Sequence, residues 1–155
     1  MPRFSTKSMS QLASCVRDIQ TIFMEVVKYT DISIIEGNRT AERQHHHWEK
    51  GRKLKHEGAN YKERDSWVII KNTEVFTHKD GYQQKSRHQQ QPSVAVDVVP
   101  YPSMWADKNK LIELRGVVKF VQAKLLADGK IETTLDNGGD LWNGFDLPHY
   151  QLKDI

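Results

Sequence analysis

The sequence predicts an α+β fold in which a small antiparallel sheet is flanked by helices. Apolar residues recur at helical spacing in two long segments, 8–27 and 109–128, and between them lie short β-branched runs, Ile32–Ile35 and Ala95–Val99. Composition adds a third observation. Residues 36–93 hold only 12 of the 58 apolar residues, so two hydrophobic flanks enclose a polar middle. The length of 155 residues suits one domain, 1–155, with its core supplied by the flanks and the polar segment 36–93 laid over it.

From Ser8 onward, Leu12, Val16, Ile19, Phe23 and Val26 or Val27 define one amphipathic helix, with Ser8 or Ser10 available as N-cap. Ile32–Ile35 reads as a strand that stops at Gly37. Thr40–Lys50 is a second helix with Thr40 as its cap and Gly51 as its end, and its polarity places it at the surface or over a site. Residues 52–66 carry no periodic signal and are expected as an exposed excursion. Trp67–Ile70 and Glu74–Thr77 are short strand candidates for a hairpin across Lys71–Thr73. Gly81–Pro92, with its run Gln89-Gln90-Gln91, is expected as loop. Ala95–Val99 is the strongest strand and is closed by Pro100 and Pro102. Asn109–Asp128 is a second core helix ended by Gly129. A turn-rich tail through Asn137, Gly138, Gly139 and Gly144 leads to a last strand, His149–Leu152.

Several function classes drop out. No apolar run approaches the roughly 20 residues of a membrane span, and the first ten residues lack a secretory h-region, so synthesis in the cytosol is expected. A single cysteine, Cys15, excludes an intramolecular disulfide and any zinc module built on two or four cysteines. The net charge of +3 is too small to argue for nucleic acid.

Asp97, inside Val94-Ala95-Val96-Asp97-Val98-Val99, is the most informative residue. A carboxylate in a buried strand costs several kcal/mol unless it is paired or binds a metal. Its partner is either an Arg or Lys, or an ion. His88, nine residues upstream in a polar loop, and His149, after Pro148, complete a candidate three-ligand zinc set with water in the fourth position. Either histidine alone reads more readily as a surface residue. Asp146, three residues before His149, would place a second carboxylate nearby as acid and base, or else forms a turn. His45, His46 and His47 point about 100° apart on a helix and are expected on a solvated face rather than on one ion. Arg39 could hold an anionic group or cover charge developing on a carbonyl oxygen.

Three motifs together resemble a known family: Ile35-Glu36-Gly37-Asn38-Arg39-Thr40 with Gln44; Lys85-Ser86-Arg87-His88 followed by Pro92 to Tyr101; and Gly138-Gly139-Asp140 followed by Asp146-Leu147-Pro148-His149-Tyr150. The pattern resembles bacteriophage endolysins of the L-alanyl-D-glutamate peptidase type, within the D-Ala-D-Ala carboxypeptidase and dipeptidase (VanY-like) zinc peptidases, whose core fold is shared with hedgehog signalling domains. The step from His88 to Asp97 is nine, where the commonest family form has seven, and Leu141 separates Gly138-Gly139-Asp140 from Trp142.

The resemblance implies a zinc ion held by His88, Asp97 and His149, with Asp146 as catalytic acid and base. It implies that Arg39 contacts substrate or stabilises the tetrahedral intermediate, and that Ser86 shapes the substrate site beside His88. The expected activity is hydrolysis of the L-Ala to D-Glu bond of murein stem peptides for host cell lysis. Release of terminal D-Ala within the same chemistry is the first alternative, and a basic envelope-binding or nucleic-acid-binding module without catalysis is the second. The expected partner is peptidoglycan, with no nucleic acid, no stable membrane insertion and a monomeric chain. An enzyme made in the host cytoplasm and acting on the wall would need a separate holin-type pore, and no separate wall-binding domain is expected.

Overall fold

The computed structural model of the chain describes residues 3–154. Its contacts divide it into two compact units, one formed by the chain up to Asn38 and from Gln91 onward, the other by Arg39–Gln90.

The first unit contains a four-stranded sheet in the order β1-β4-β6-β5, every neighbouring pair antiparallel. The strands are β1 (Ile32–Glu36), β4 (Ala95–Pro100), β5 (Leu135–Asn137) and β6 (His149–Leu152). Two core helices, α2 (Arg17–Val26) and α4 (Lys108–Ala127), and a shorter α1 (Thr6–Ala13) accompany it. Val96 and Val98 turn one face of β4 into the core with Ile19, Ile22, Phe23, Val118 and Val121. Alternation then forces Asp97 onto the other face. There Val99 meets Leu111 and Leu147. The α+β class, with an antiparallel sheet and flanking helices, is as the sequence predicts.

The first predicted helix is in fact two. It breaks at Ser14–Val16 because backbone there pairs with Ser93: Ser93 N–H donates to the Ser14 carbonyl and Val16 N–H to the Ser93 carbonyl, both at 2.9 Å. Its true N-cap is Ser5, whose Oγ accepts from Ser8 N–H, rather than Ser8 or Ser10. Cys15 sits buried at this break, and burial pushes its thiol up to about 12. Gly37 passes so close to the same segment that a Cβ would strike the Gln11 carbonyl and the Ser14 hydroxyl. β5 escaped the sequence reading, being three residues long. No helix among the described residues is long and apolar enough to cross a membrane.

The second unit holds α3 (Ala41–Glu49), capped by Thr40 as expected, and a two-stranded ribbon of β2 (Arg52–Leu54) and β3 (Trp67–Ile69). The hairpin expected across Lys71–Thr73 does not form. β3 pairs backwards with β2, and Asn72–Glu74 is a 3-10 turn. His45 also departs from expectation. Instead of facing solvent it is 3% exposed, with Nδ1 2.9 Å from the Asp80 carbonyl and its ring among Trp48, Tyr61, Trp67 and Tyr82. With so few aliphatic residues available, this unit builds its core from aromatic rings around one imidazole. His46 is exposed, and among the described residues no ion site gathers the three histidines.

Asp80 organises the loop that follows. Its side chain is 1% exposed and accepts from the backbone amides of Tyr82, Gln83 and Gln84, and Arg64 lies 3.4 Å away. Burial opposes its charge, but the amides of Gln83, Gln84 and Tyr82 together with Arg64 outweigh it and hold the carboxyl below the ordinary Asp range.

Candidate metal centre

The ladder between β4 and β6 sets Asp97 directly across from His149. Their side chains meet on the face away from the valine core, with His149 Nδ1 3.4 Å from Asp97 Oδ1. The other ring nitrogen, Nε2, lies 3.0 Å from Gln151 Oε1. An Nε2–H donated to Gln151 orients the ring so that Nδ1 faces Asp97. Burial opposes protonation of His149, yet Asp97, Gln151 and Asp146 outweigh it and raise the imidazole's pKa above its ordinary value.

His88 is buried in a 3-10 turn, Arg87–Gln89, that a capping box holds. Ser86 Oγ accepts from His88 N–H at 3.2 Å, and Gln89 Oε1 accepts from Ser86 N–H at 2.8 Å. Gln89 Nε2 also donates to the Gly81 carbonyl, so the first glutamine of the run is a structural tie. The His88 carbonyl accepts from Arg39 N–H at 2.8 Å. Arg39 is 7% exposed, and its Nη1 donates to Gln44 Oε1 at 2.7 Å. Gln44 is pinned in turn through its Nε2 to the Lys79 carbonyl.

Asp146 is exposed, with φ of +60°, in the turn that enters β6. Its carbonyl accepts from His149 N–H at 3.1 Å. The glycines of the third motif explain themselves here. A Cβ on Gly138 would strike the Asp146 carbonyl, and one on Gly139 would strike Leu147. They start the short helix α5 (Gly138–Leu141), whose other motif residue, Asp140, is paired with Arg115 and Lys119 on α4.

Two supporting residues carried no role in the sequence reading. Asn137, 2% exposed, caps α5 through Oδ1 on Gly139 N–H, and its Nδ2 donates to the carbonyls of Leu147 and His149 at 2.7 and 3.1 Å. It thus grips the chain just after Asp146, at Leu147 and at His149. Its identity signalled only a turn. Glu36, 5% exposed, stands opposite Asp97 in the β1–β4 register. An acid ending a β-branched strand beside an acid-bearing strand was the available signal. Trp142 lies against the His149 ring, with centroids 5.2 Å apart.

One ligand-type atom each from His88, Asp97 and His149 lies within 4.8 Å of the others. Two imidazole nitrogens and a carboxylate oxygen are a donor set that zinc accepts in catalytic sites. Bonds of about 2.0–2.1 Å in tetrahedral geometry put ligand atoms about 3.3 Å apart, close to the 3.4 Å between Asp97 and His149. The residues fit a metal ion; which metal the donors alone do not specify.

No family model matches the chain, and no curated protein matches it. Among solved structures the fold is similar to that of the Serratia marcescens L-Ala D-Glu endopeptidase ChiX, with a TM-score of 0.63 and 18% identity over 98% of this chain and 91% of that one. At this identity the likeness is one of fold.

Proposed function

We propose that the chain is a zinc peptidase that hydrolyses the L-Ala to D-Glu bond of murein stem peptides, as a phage endolysin. The convergence of His88, Asp97 and His149 carries the reading, and the fold shared with an L-Ala D-Glu endopeptidase supports the choice of bond. The whole chain would act as one catalytic domain. Made in a host cytoplasm, it would reach the wall through a separate pore.

His88, Asp97 and His149 would hold the ion, which supplies a Lewis acid able to polarise an amide carbonyl and to lower the pKa of water toward about 7. Asp146 accepts the proton of the attacking water and returns it to the leaving amine of D-Glu. Its exposure suits that exchange, and Asn137 holds the turn that presents it. Arg39 contacts a substrate carboxylate or the charge developing on the carbonyl oxygen, with its guanidinium oriented by Gln44. Ser86 contributes to the substrate site through the His88 turn that it caps.

Mass spectrometry of purified murein digested by the zinc-loaded protein tests the reading. New N-terminal D-Glu is expected, and Asp146→Asn should abolish it. Free D-Ala with no new amine on Glu would instead establish D-Ala release, and no product at all would sink both.

A further inference from the structure

The ribbon β2–β3 takes no part in the chemistry above. Its register sets Lys53 opposite Val68, so the two share a face, and Lys55, bonded to the Ser66 carbonyl, continues that face along β2. Ile70, two residues beyond Val68, continues it on the other side. The opposite face holds Trp67, which meets Trp48, and Arg52, whose guanidinium lies 4.4 Å from the Trp48 ring. The ribbon therefore has a packed side and an unpacked one.

The unpacked side is apolar and basic at once. Val68 is 41% exposed and Ile70 60%. Among the described residues no ion pair engages Lys53 or Lys55. The charge of the chain is concentrated in the same unit: Arg39–Gln90 carries 12 Lys and Arg against 7 Asp and Glu, a net of +5, while the rest carries 11 against 13, a net of −2.

We propose that this face of the ribbon docks on an anionic lipid surface, with Val68 and Ile70 entering the headgroup boundary and Lys53 and Lys55 meeting lipid phosphates. Lysine interleaved with branched aliphatic side chains decides among partners. Lysine is depleted from the cores of protein interfaces, which favour Arg and aromatic residues. Single-stranded nucleic acid is held largely by aromatic stacking, which Val and Ile cannot supply. A bilayer boundary takes both kinds, because aliphatic groups sink while ammonium groups stay at the phosphates. Each lysine at such a surface strengthens binding about fivefold.

Co-sedimentation with phosphatidylcholine vesicles, with and without phosphatidylglycerol, tests this. The wild type is expected to bind only the anionic vesicles, more weakly as salt rises. Lys53→Glu with Lys55→Glu should weaken binding more than tenfold, and Val68→Ser with Ile70→Ser comparably. Thermal melts matching wild type would show that both variants fold, since all four side chains are largely solvent-exposed or unpaired. Absence of vesicle binding, equal binding to neutral vesicles, or indifference to both variants would overturn the proposal. So would a dimer dissociated by the Val68 and Ile70 changes, or DNA binding lost in the lysine variant alone. Release of fragments from purified murein should be unchanged in both variants; its loss would make the ribbon a murein contact instead. A wild type that binds vesicles yet cuts no murein would uphold this proposal and sink only the peptidase.

Discussion

His149 Nδ1 lies 3.4 Å from Asp97 Oδ1 across a ladder pair whose backbone register leaves the two side chains no other face to occupy. The geometry resembles an edge of a tetrahedral site, and the two groups depend on each other. Asp97→Asn keeps the shape of the strand while removing the charge. Zinc affinity, measured by competition with a chromogenic chelator, should fall by more than about a hundredfold. An unchanged affinity would show that the ion, if any, binds elsewhere.

Gln151 acts on the metal only through His149, by holding Nε2 at 3.0 Å. Gln151→Leu should lower zinc affinity about 10–100-fold while shifting unfolding free energy by less than about 1 kcal/mol, because a half-buried side chain loses one hydrogen bond. A zinc titration beside a urea melt separates the two effects.

Asn137 makes three hydrogen bonds from a buried amide. Asn137→Leu leaves the carbonyls of Leu147 and His149 without this donor and removes the cap of α5. A loss of about 2–4 kcal/mol is expected, read as a lower urea midpoint at constant slope. Fragment release from murein should fall with it even under conditions where the variant is fully folded, since the turn presenting Asp146 loses its tie.

Asp80 ties stability to pH. Its carboxyl is held below the ordinary Asp value by amides and Arg64 acting against burial, so the folded state binds this proton less readily than the unfolded chain. The stabilisation is fully present above the unfolded Asp pKa of about 3.9 and is lost as pH falls through the lower folded value. The stability difference between wild type and Asp80→Ala should therefore be constant from neutral pH down to about pH 5 and shrink below about pH 4. A difference that grew on acidification would contradict this sign.

Local pattern carried the sequence reading where chemistry and structure are local. Thr40 caps α3 because a hydroxyl one residue before a helix can reach its own third amide. Asp97 was conspicuous because burial of a charge contradicts an apolar strand, whatever surrounds it. The long helix α4 followed from the spacing of Leu111, Leu114, Val118, Val121 and Leu125, all of them buried. His45 misled for the same reason: consecutive histidines look solvated when only their own helix is considered, whereas rings from Tyr61, Trp67 and Tyr82 enclose it.

By itself the sequence determined the helical and extended tendencies of the flanks, the polar and basic character of the middle, and the ligand-type residues available, since these are properties of neighbours along the chain. Tertiary structure alone decided the break at Ser14–Val16, the pairing of β3 with β2, and the selection of Asn137 and Gln151 as supports. Each depends on backbone groups and side chains being satisfied by partners that only the folded chain brings near. The break needs Ser93, some 80 residues away, and no periodicity within the helix encodes a backbone partner that arrives from so distant a segment.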